Sequence, residues 1–125
     1  MSQPTIAIIG ASCDHRKFGN KCVRAYLHSG YQVFPVNLRE VQIEGLTVVR
    51  AIDDVPTELD RISVYLPPET TRTLIPSLAQ WLETEVWFNP GSADRQVLDQ
   101  AHAAGIDVHD GCSIVDIGLS PGQFP

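Results

Sequence analysis

The apolar run at residues 6–9 stops at Gly10, and a polar loop of Ala11, Ser12, Lys17, Phe18, Gly19 and Asn20 leads from it into a predicted helix. A buried strand feeding a helix N-terminus presents unpaired backbone N–H groups at the positive end of the helix dipole, an arrangement that attracts anions. The ligand expected here carries phosphate. The spacing departs from the dinucleotide fingerprint, because Ala11, Ser12, Cys13, Asp14 and His15 follow Gly10 and yield no G-x-G-x-x-G. Gly10 serves equally a tight strand-to-helix turn and a close backbone approach to phosphate. Ser12 serves as a phosphate donor or a local cap. Lys17, Lys21 and Arg24 follow in the same stretch, which suits a compact polyanion.

Three further segments carry chemistry at strand ends. After the predicted strand at 32–36 come Val36, Asn37, Leu38 and Arg39. A site for NAD calls for Asp or Glu here to bind the ribose hydroxyls, whereas Arg39 suits a phosphorylated ribose, found on the adenosine of both NADP and coenzyme A. After the strand at 62–66 come Leu66, Pro67 and Pro68, and after the strand at 85–88 come Asn89, Pro90, Gly91 and Ser92. Prolines donate no backbone hydrogen bond and stiffen the walls of a slot, which fits a thin pantetheine arm better than a nicotinamide ring. They are also ordinary helix starters.

The elements that bring these segments together are five short apolar strands, at 6–9, 32–36, 62–66, 85–88 and 106–108. Helices are predicted at 20–29, with Val23, Tyr26 and Leu27 inward; at 69–82, with Leu74, Ile75, Leu78, Ala79 and Leu82 inward and a kink or break at Pro76; and at 93–104, with Ser92 as N-cap and Val97, Leu98 and Ala101 inward. Residues 39–56 read as Gly45, a short extra strand in LTVVRA, and a turn or one-turn helix before Pro56. Strands alternating with helices predict an α/β fold with three layers. Its sheet is doubly wound, mostly parallel and five-stranded, in the order 3-2-1-4-5, with the loops converging beyond the carboxyl ends.

Bulk properties narrow the function classes. The 125 residues, 43% hydrophobic and 19% charged, suit one domain spanning 1–125 with its own core. Neither a membrane-length apolar run nor a signal-peptide n-region is present, so a cytoplasmic protein is expected. Cys13, Cys22 and Cys112 lack C-x-x-C spacing and read as reduced thiols. Residues 1–50 hold six Lys/Arg against three acids, and residues 51–125 hold three against twelve; no basic stripe points to nucleic acid. The histidines are scattered without metal-ligand spacing. His109, beside Asp110 after the last strand, is the histidine expected to face the cleft. Cys13, near a helix N-terminus and basic residues, sits where a thiol pKa falls, which makes a redox or mixed-disulfide role a minor alternative, as for Cys112. The tail SPGQFP leaves Phe124 either exposed or docked.

Taken in order, GAS, KFGN (Lys17 to Asn20), HSGYQVFPVN, LPPE, WFNPGS, A-x-x-A-G-I-D-V, Cys112 and the terminal GQF resemble the small CoA-binding proteins related to the N-terminal domain of the succinyl-CoA synthetase alpha subunit. The resemblance implies a Rossmann-like CoA-binding domain. It further implies phosphates on the Gly10 loop and Lys17–Asn20, the adenosine end near Val36, Asn37 and Arg39, and pantetheine passing Leu66–Pro68 and Asn89–Gly91. Leu38 stands where relatives often carry a second proline. In that family the phosphorylated histidine and the nucleotide-binding grasp domain lie outside the CoA-binding domain. The expectation is therefore a binder of coenzyme A or acyl-CoA, regulatory or accessory, without catalysis of its own, and with no protein partner specified. The alternatives are a small NADP-linked oxidoreductase or nucleotide-sensing subunit, and a subunit completing an acyl-CoA ligase in trans.

Overall fold

The structure, a computed structural model, describes residues 3–125. In chain order the elements are β1 (Thr5–Ile9), α1 (Phe18–His28), β2 (Gln32–Val36), β3 (Gln42–Ile43), β4 (Leu46–Thr47), a 3₁₀ turn (Ile52–Asp54), β5 (Arg61–Val64), α2 (Pro68–Leu78), β6 (Glu85–Phe88), α3 (Arg95–Ala103), β7 (Asp107–Asp110), α4 (Ser113–Asp116) and a second 3₁₀ turn (Pro121–Gln123). The five longer strands form one parallel sheet in the order β2-β1-β5-β6-β7.

Alternation along β1 explains the three layers. Ile6 and Ile8 pack on one face with Cys22, Val23 and Tyr26 of α1 and Ile114 of α4. Ala7 and Ile9 pack on the other with Ile75 and Leu78 of α2 and Val97 and Ala101 of α3. Both faces are covered, which is why the strands read as unbroken apolar runs.

The strand order differs from the expected 3-2-1-4-5. The third long strand, β5, pairs with β1 through Ala7↔Ile62, so the five strands run 2-1-3-4-5. The position outside β2 belongs to residues from the LTVVRA stretch: the Val49 N–H donates to the Pro35 carbonyl at 2.9 Å and the Asn37 N–H to the Val49 carbonyl at 3.1 Å. Only the single bridge Val36↔Val49 forms there. The N–H that Pro35 lacks would face the same outer side, so β2 cannot support a longer ladder on that edge. Chain economy contributes as well, because β2 reaches Val49 through a hairpin rather than a helix. Gln42↔Thr47 and Ile43↔Leu46 pair across Glu44 (φ 50°) and Gly45 (φ 77°), a two-residue turn of the type that matches strand twist.

Several element details also depart from expectation. In α1, Leu27 is exposed, and Cys22 and Ala25 join Val23 and Tyr26 inside. Helix α2 is not split by Pro76 but ends two residues later, leaving Leu82 outside it and 75% exposed. The cap of α3 is Asp94, which accepts from the Val97 N–H at 2.9 Å, while Ser92 donates to the Asn89 carbonyl at 2.7 Å. His109 lies within β7 rather than after it. Phe124 is docked: its ring lies 6.1 Å from that of His28, and its carbonyl accepts from Lys21 Nζ (2.9 Å) and Arg24 (2.8 Å).

Helix α1 meets the end of β1 at the closest backbone approach for which the sequence uses glycine on both sides. A Cβ on Gly19 would lie 2.2 Å from the Gly10 carbonyl oxygen, and a Cβ on Gly10 (φ 88°) would lie 2.3 Å from the Tyr65 carbonyl oxygen. Inside a helix, Gly→Ala ordinarily stabilises by roughly 0.5–1 kcal/mol. Here the sign should invert. Gly19→Ala is expected to lower the unfolding free energy by at least about 2 kcal/mol in urea titrations, because backbone cannot yield as a flexible side chain does; a stabilised variant would contradict this packing.

Candidate functional site

The loops after β1, β2, β5 and β6 open onto a shared cleft of about 950 Å³ beyond the carboxyl ends of the strands. It lies where the chain turns from β1 outward to β2 on one side and β5 on the other, the switch point at which doubly wound sheets hold ligands. The first loop contributes Gly10, Ala11, Ser12, Lys17, Phe18 and Gly19; the second contributes Asn37 and Arg39. Leu66, Pro67, Pro68, Pro90 and Gly91 form the remaining wall. A second cleft, of about 430 Å³, shares Gly10, Asn37, Arg39 and Leu66 with the first and continues past Val36 between β2 and α2. The two clefts meet at these four residues, and the second is the more apolar.

Of the residues singled out from sequence, Asn20 and Asn89 do not line it. Asn20 is fully buried; its Nδ2 donates to the Ser12 carbonyl at 2.8 Å and to Glu44 at 3.2 Å, and its Oδ1 accepts from Arg24 Nε at 2.7 Å. Asn89, 1% exposed, donates to Ser63 Oγ (2.8 Å) and the Val64 carbonyl (2.9 Å) and accepts from the Ser113 N–H (2.9 Å). Both are braces behind the loops. Asn37 combines the two tasks: it faces the cleft, donates to the Ala11 carbonyl at 2.9 Å, and accepts from the N–H groups of Arg39 (2.7 Å) and Glu40 (3.0 Å). It thereby ties the first loop to the second.

The basic cluster is smaller than the sequence suggests. Lys21 and Arg24 are engaged by tail carbonyls, so Arg16, Lys17 and Arg39 remain as the cations lining the main cleft, with Arg50 beside the second. Arg16 is paired with Asp14 at 3.0 Å. Its side-chain and backbone hydrogen bonds hold the Asp14 carboxyl down to about 2. Lys17 is the N-cap of α1 and makes no side-chain capping bond; the Asn20 N–H is taken by the Lys17 carbonyl at 3.1 Å, which leaves the N–H groups of Phe18 and Gly19, both at the cleft wall, as the donors of the first turn.

The thiols and His109 stand elsewhere. The Cys13 thiol is raised, not lowered, because the neighbouring Glu40 carboxylate disfavours the thiolate. Burial pushes Cys22 up to about 11. Neither Cys22 nor Cys112 lines the cleft. His109 stacks on Trp87 with ring centroids 4.8 Å apart, away from the loops.

Sequence reasoning missed Arg16, Glu40, Tyr65 and Ser92 in the main cleft. It also missed the wall of the second, made by Arg50 to Asp53 and by Thr70, Thr73, Leu74 and Ser77 of α2. Two signals were present. The last four recur at helical spacing on one face of α2, and Arg50 follows a short β-branched run just as Asn37 follows β2.

A parallel, doubly wound sheet with an anion-attracting cleft at its switch point defines a Rossmann-like ligand-binding domain. The chain belongs to the CoA binding domain family, whose model matches residues 4–118. It is similar in structure to a conserved hypothetical protein from Pyrococcus furiosus (TM-score 0.83, 28% identity, covering 90% of this chain and 98% of that one). A Thermus thermophilus protein gives TM-score 0.83 and 25% identity over 93% of this chain and 89% of its own. The acetyl-coenzyme A synthetase 1 of Ca. Korarchaeum cryptofilum shares the fold (TM-score 0.72, 23% identity), with 83% of this chain matching 25% of that one. In sequence, the chain is 33% identical over 72 residues to the alpha subunit of acetate–CoA ligase [ADP-forming] II of Pyrococcus furiosus; the match takes in 56% of this chain and 16% of that protein. Among the described residues, no helix is long and apolar enough to cross a membrane.

The Asp14 carboxyl supplies a pH prediction. Its folded pKa lies below the ordinary carboxylate value of about 3.9, so the loop contact contributes stability at pH above about 4 and loses it as pH falls toward about 2. Carboxyl carbon NMR titration should give an Asp14 midpoint of about 2, and Arg16→Ala should raise it toward, but not to, the ordinary value of about 3.9, because the backbone N–H at position 16 still donates to Asp14 Oδ1. An unchanged midpoint in the variant would exclude Arg16 as the cause.

Proposed function

We propose that this protein binds coenzyme A or an acyl-CoA along the joined clefts, as a regulatory or accessory binding protein. The observation that carries this reading is the continuity of the two clefts through Gly10, Asn37, Arg39 and Leu66. A ligand with phosphates in its middle and dissimilar ends fits a channel whose centre is loop backbone and cation. In this reading the pyrophosphate lies against the loop of Gly10 to Ser12, Lys17 and the first turn of α1. The adenosine end lies toward Val36, Asn37 and Arg39 in the more apolar second cleft, and the pantetheine arm runs past Leu66 to Pro68 and on to Pro90 and Gly91. When bound, coenzyme A supplies a thiol or thioester; the residues of this chain bind and orient it. Membership of the CoA binding domain family supports the ligand class.

A second reading has its own support. The matched relative is a subunit of an acetate–CoA ligase, so this chain would complete such a ligase in trans with a partner that provides the nucleotide chemistry. Co-purification followed by an ATP-dependent thioesterification assay tests it; recovery of the chain alone, with no thioester formed, rejects it. An NADP-linked role lacks its sequence sign, the dinucleotide glycine spacing after β1.

Calorimetric titration with coenzyme A, acetyl-CoA, NADPH and ATP distinguishes these ligands. Micromolar binding of coenzyme A or acetyl-CoA is expected, and binding of NADPH without either defeats the proposal. Lys17→Ala should weaken coenzyme A on the order of tenfold, the loss of one charge-assisted contact, with a shallower salt dependence. Equal affinity for coenzyme A and dephospho-CoA would show that Arg39 does not read the ribose phosphate.

A further inference from the structure

Glu40 is the one acidic residue lining the main cleft among the described residues. Both of its carboxylate oxygens lie within reach of the Cys13 N–H, at 3.0 and 3.2 Å. Cys13 belongs to the same loop as Ser12 and Lys17. Among the described residues the Glu40 carboxylate makes no ion pair, although the cleft it faces is lined by three cations. It is held in place by backbone, not by charge. The Glu40 N–H is gripped by Asn37 Oδ1 at 3.0 Å, and Asn37 is anchored to the Ala11 carbonyl at 2.9 Å. The hairpin that follows is fastened to the loop by Cys13 Sγ donating to the Gln42 carbonyl (3.1 Å) and by Glu44 accepting from Asn20 (3.2 Å).

We infer that Glu40 tunes the affinity of this cleft for anions: its carboxylate, held on the Cys13 N–H at the cleft wall and paired with no cation, opposes a phosphate brought to the same loop and so raises the affinity that a ligand must reach through its other contacts. The inference rests on the phosphate-binding reading of this loop proposed above. Two anions held side by side repel each other. A phosphate entering the loop therefore either displaces Glu40 or binds against its repulsion. A short ligand such as pyrophosphate or ADP has few other contacts with which to offset that penalty. A long ligand filling the whole channel gains contacts along both clefts and tolerates it. Glu40 thus lowers the affinity of every phosphate ligand by a similar factor and leaves the ratio between long and short ligands to the contacts each makes elsewhere in the clefts.

The test is calorimetric titration of the wild type, Glu40→Gln and Glu40→Ala with coenzyme A, ADP, inorganic pyrophosphate and pantethine, at two salt concentrations. Both variants should bind coenzyme A, ADP and pyrophosphate more tightly, by a factor on the order of ten at low salt. The gain should shrink at high salt, and pantethine, which carries no phosphate, should be unaffected. Urea unfolding of each variant establishes that it is folded, and the Ala variant guards against the Gln amide keeping the donor occupied. Wild-type binding of coenzyme A with unchanged or weaker binding by both variants overturns this inference alone and leaves the ligand assignment standing. Failure of all three proteins to bind coenzyme A, ADP and pyrophosphate overturns the inference and the phosphate reading together.

Discussion

The contact on which the architecture turns is the seating of α1 directly on the end of β1, backbone against backbone. Gly19 presents no side chain to the Gly10 carbonyl, and Gly10 presents none to the Tyr65 carbonyl, so three consecutive layers of main chain stack at a spacing that any Cβ would breach. This approach brings the first turn of α1 against the β1 loop, at the wall of the cleft. It also brings the β5 loop, which begins at Tyr65, against the same point. Shape and electrostatics of the cleft thus share one cause: the helix dipole is useful to a ligand only because the helix can come this close.

Asparagines hold the loops that this contact gathers. Asn20, Asn37 and Asn89 stand behind or beside three different loops, and each uses its amide N–H and its carbonyl on different segments of chain. Such a side chain acts as a two-ended clamp, able to bond a carbonyl with one end and a donor with the other. Burial makes the clamp stiff, since a buried amide that lost its partners would be left unsatisfied. Because the loops themselves carry few apolar residues, these polar braces do for the cleft what packing does for the sheet.

Much of this was legible in the sequence, and the limits of legibility are physical. Strands β1, β2, β5 and β6 announced themselves as short β-branched runs, and glycines and prolines marked the loops at their ends, because those signals are local. The order of the strands was not legible. It depends on Pro35 facing the outer edge of β2 and on a hairpin too short to cross the sheet, and neither fact has meaning until neighbours are assigned. The places of Asn20 and Asn89 behind the loops were not legible for a related reason: a polar residue in a motif looks the same in sequence whether it faces a ligand or holds the loop that does. Lys21 and Arg24 were misread as part of the anion site because their partners, the carbonyls near Phe124, are about a hundred residues away.

That last pairing changes how the charge of the molecule should be understood. The excess of basic residues in the first 50 positions suggests a strongly cationic phosphate loop, yet Arg16, Lys21 and Arg24, half of those six cations, are used internally. Arg24 bonds the tail carbonyl, the His15 carbonyl and Asn20 at once, and Asn20 in turn holds Ser12 and Glu44. Arg16 is tied to Asp14, and Glu44 lies 2.9 Å from His15. The loop is therefore a nearly balanced network stitched to both the tail and the β3–β4 hairpin, with Lys17 and Arg39 left facing the cleft. A loop built this way attracts an anion through its backbone dipoles more than through net charge, and backbone dipoles act only at short range. Selectivity then passes from the sign of the ligand to its shape, which must bring phosphate to the dipoles while filling the channel on either side.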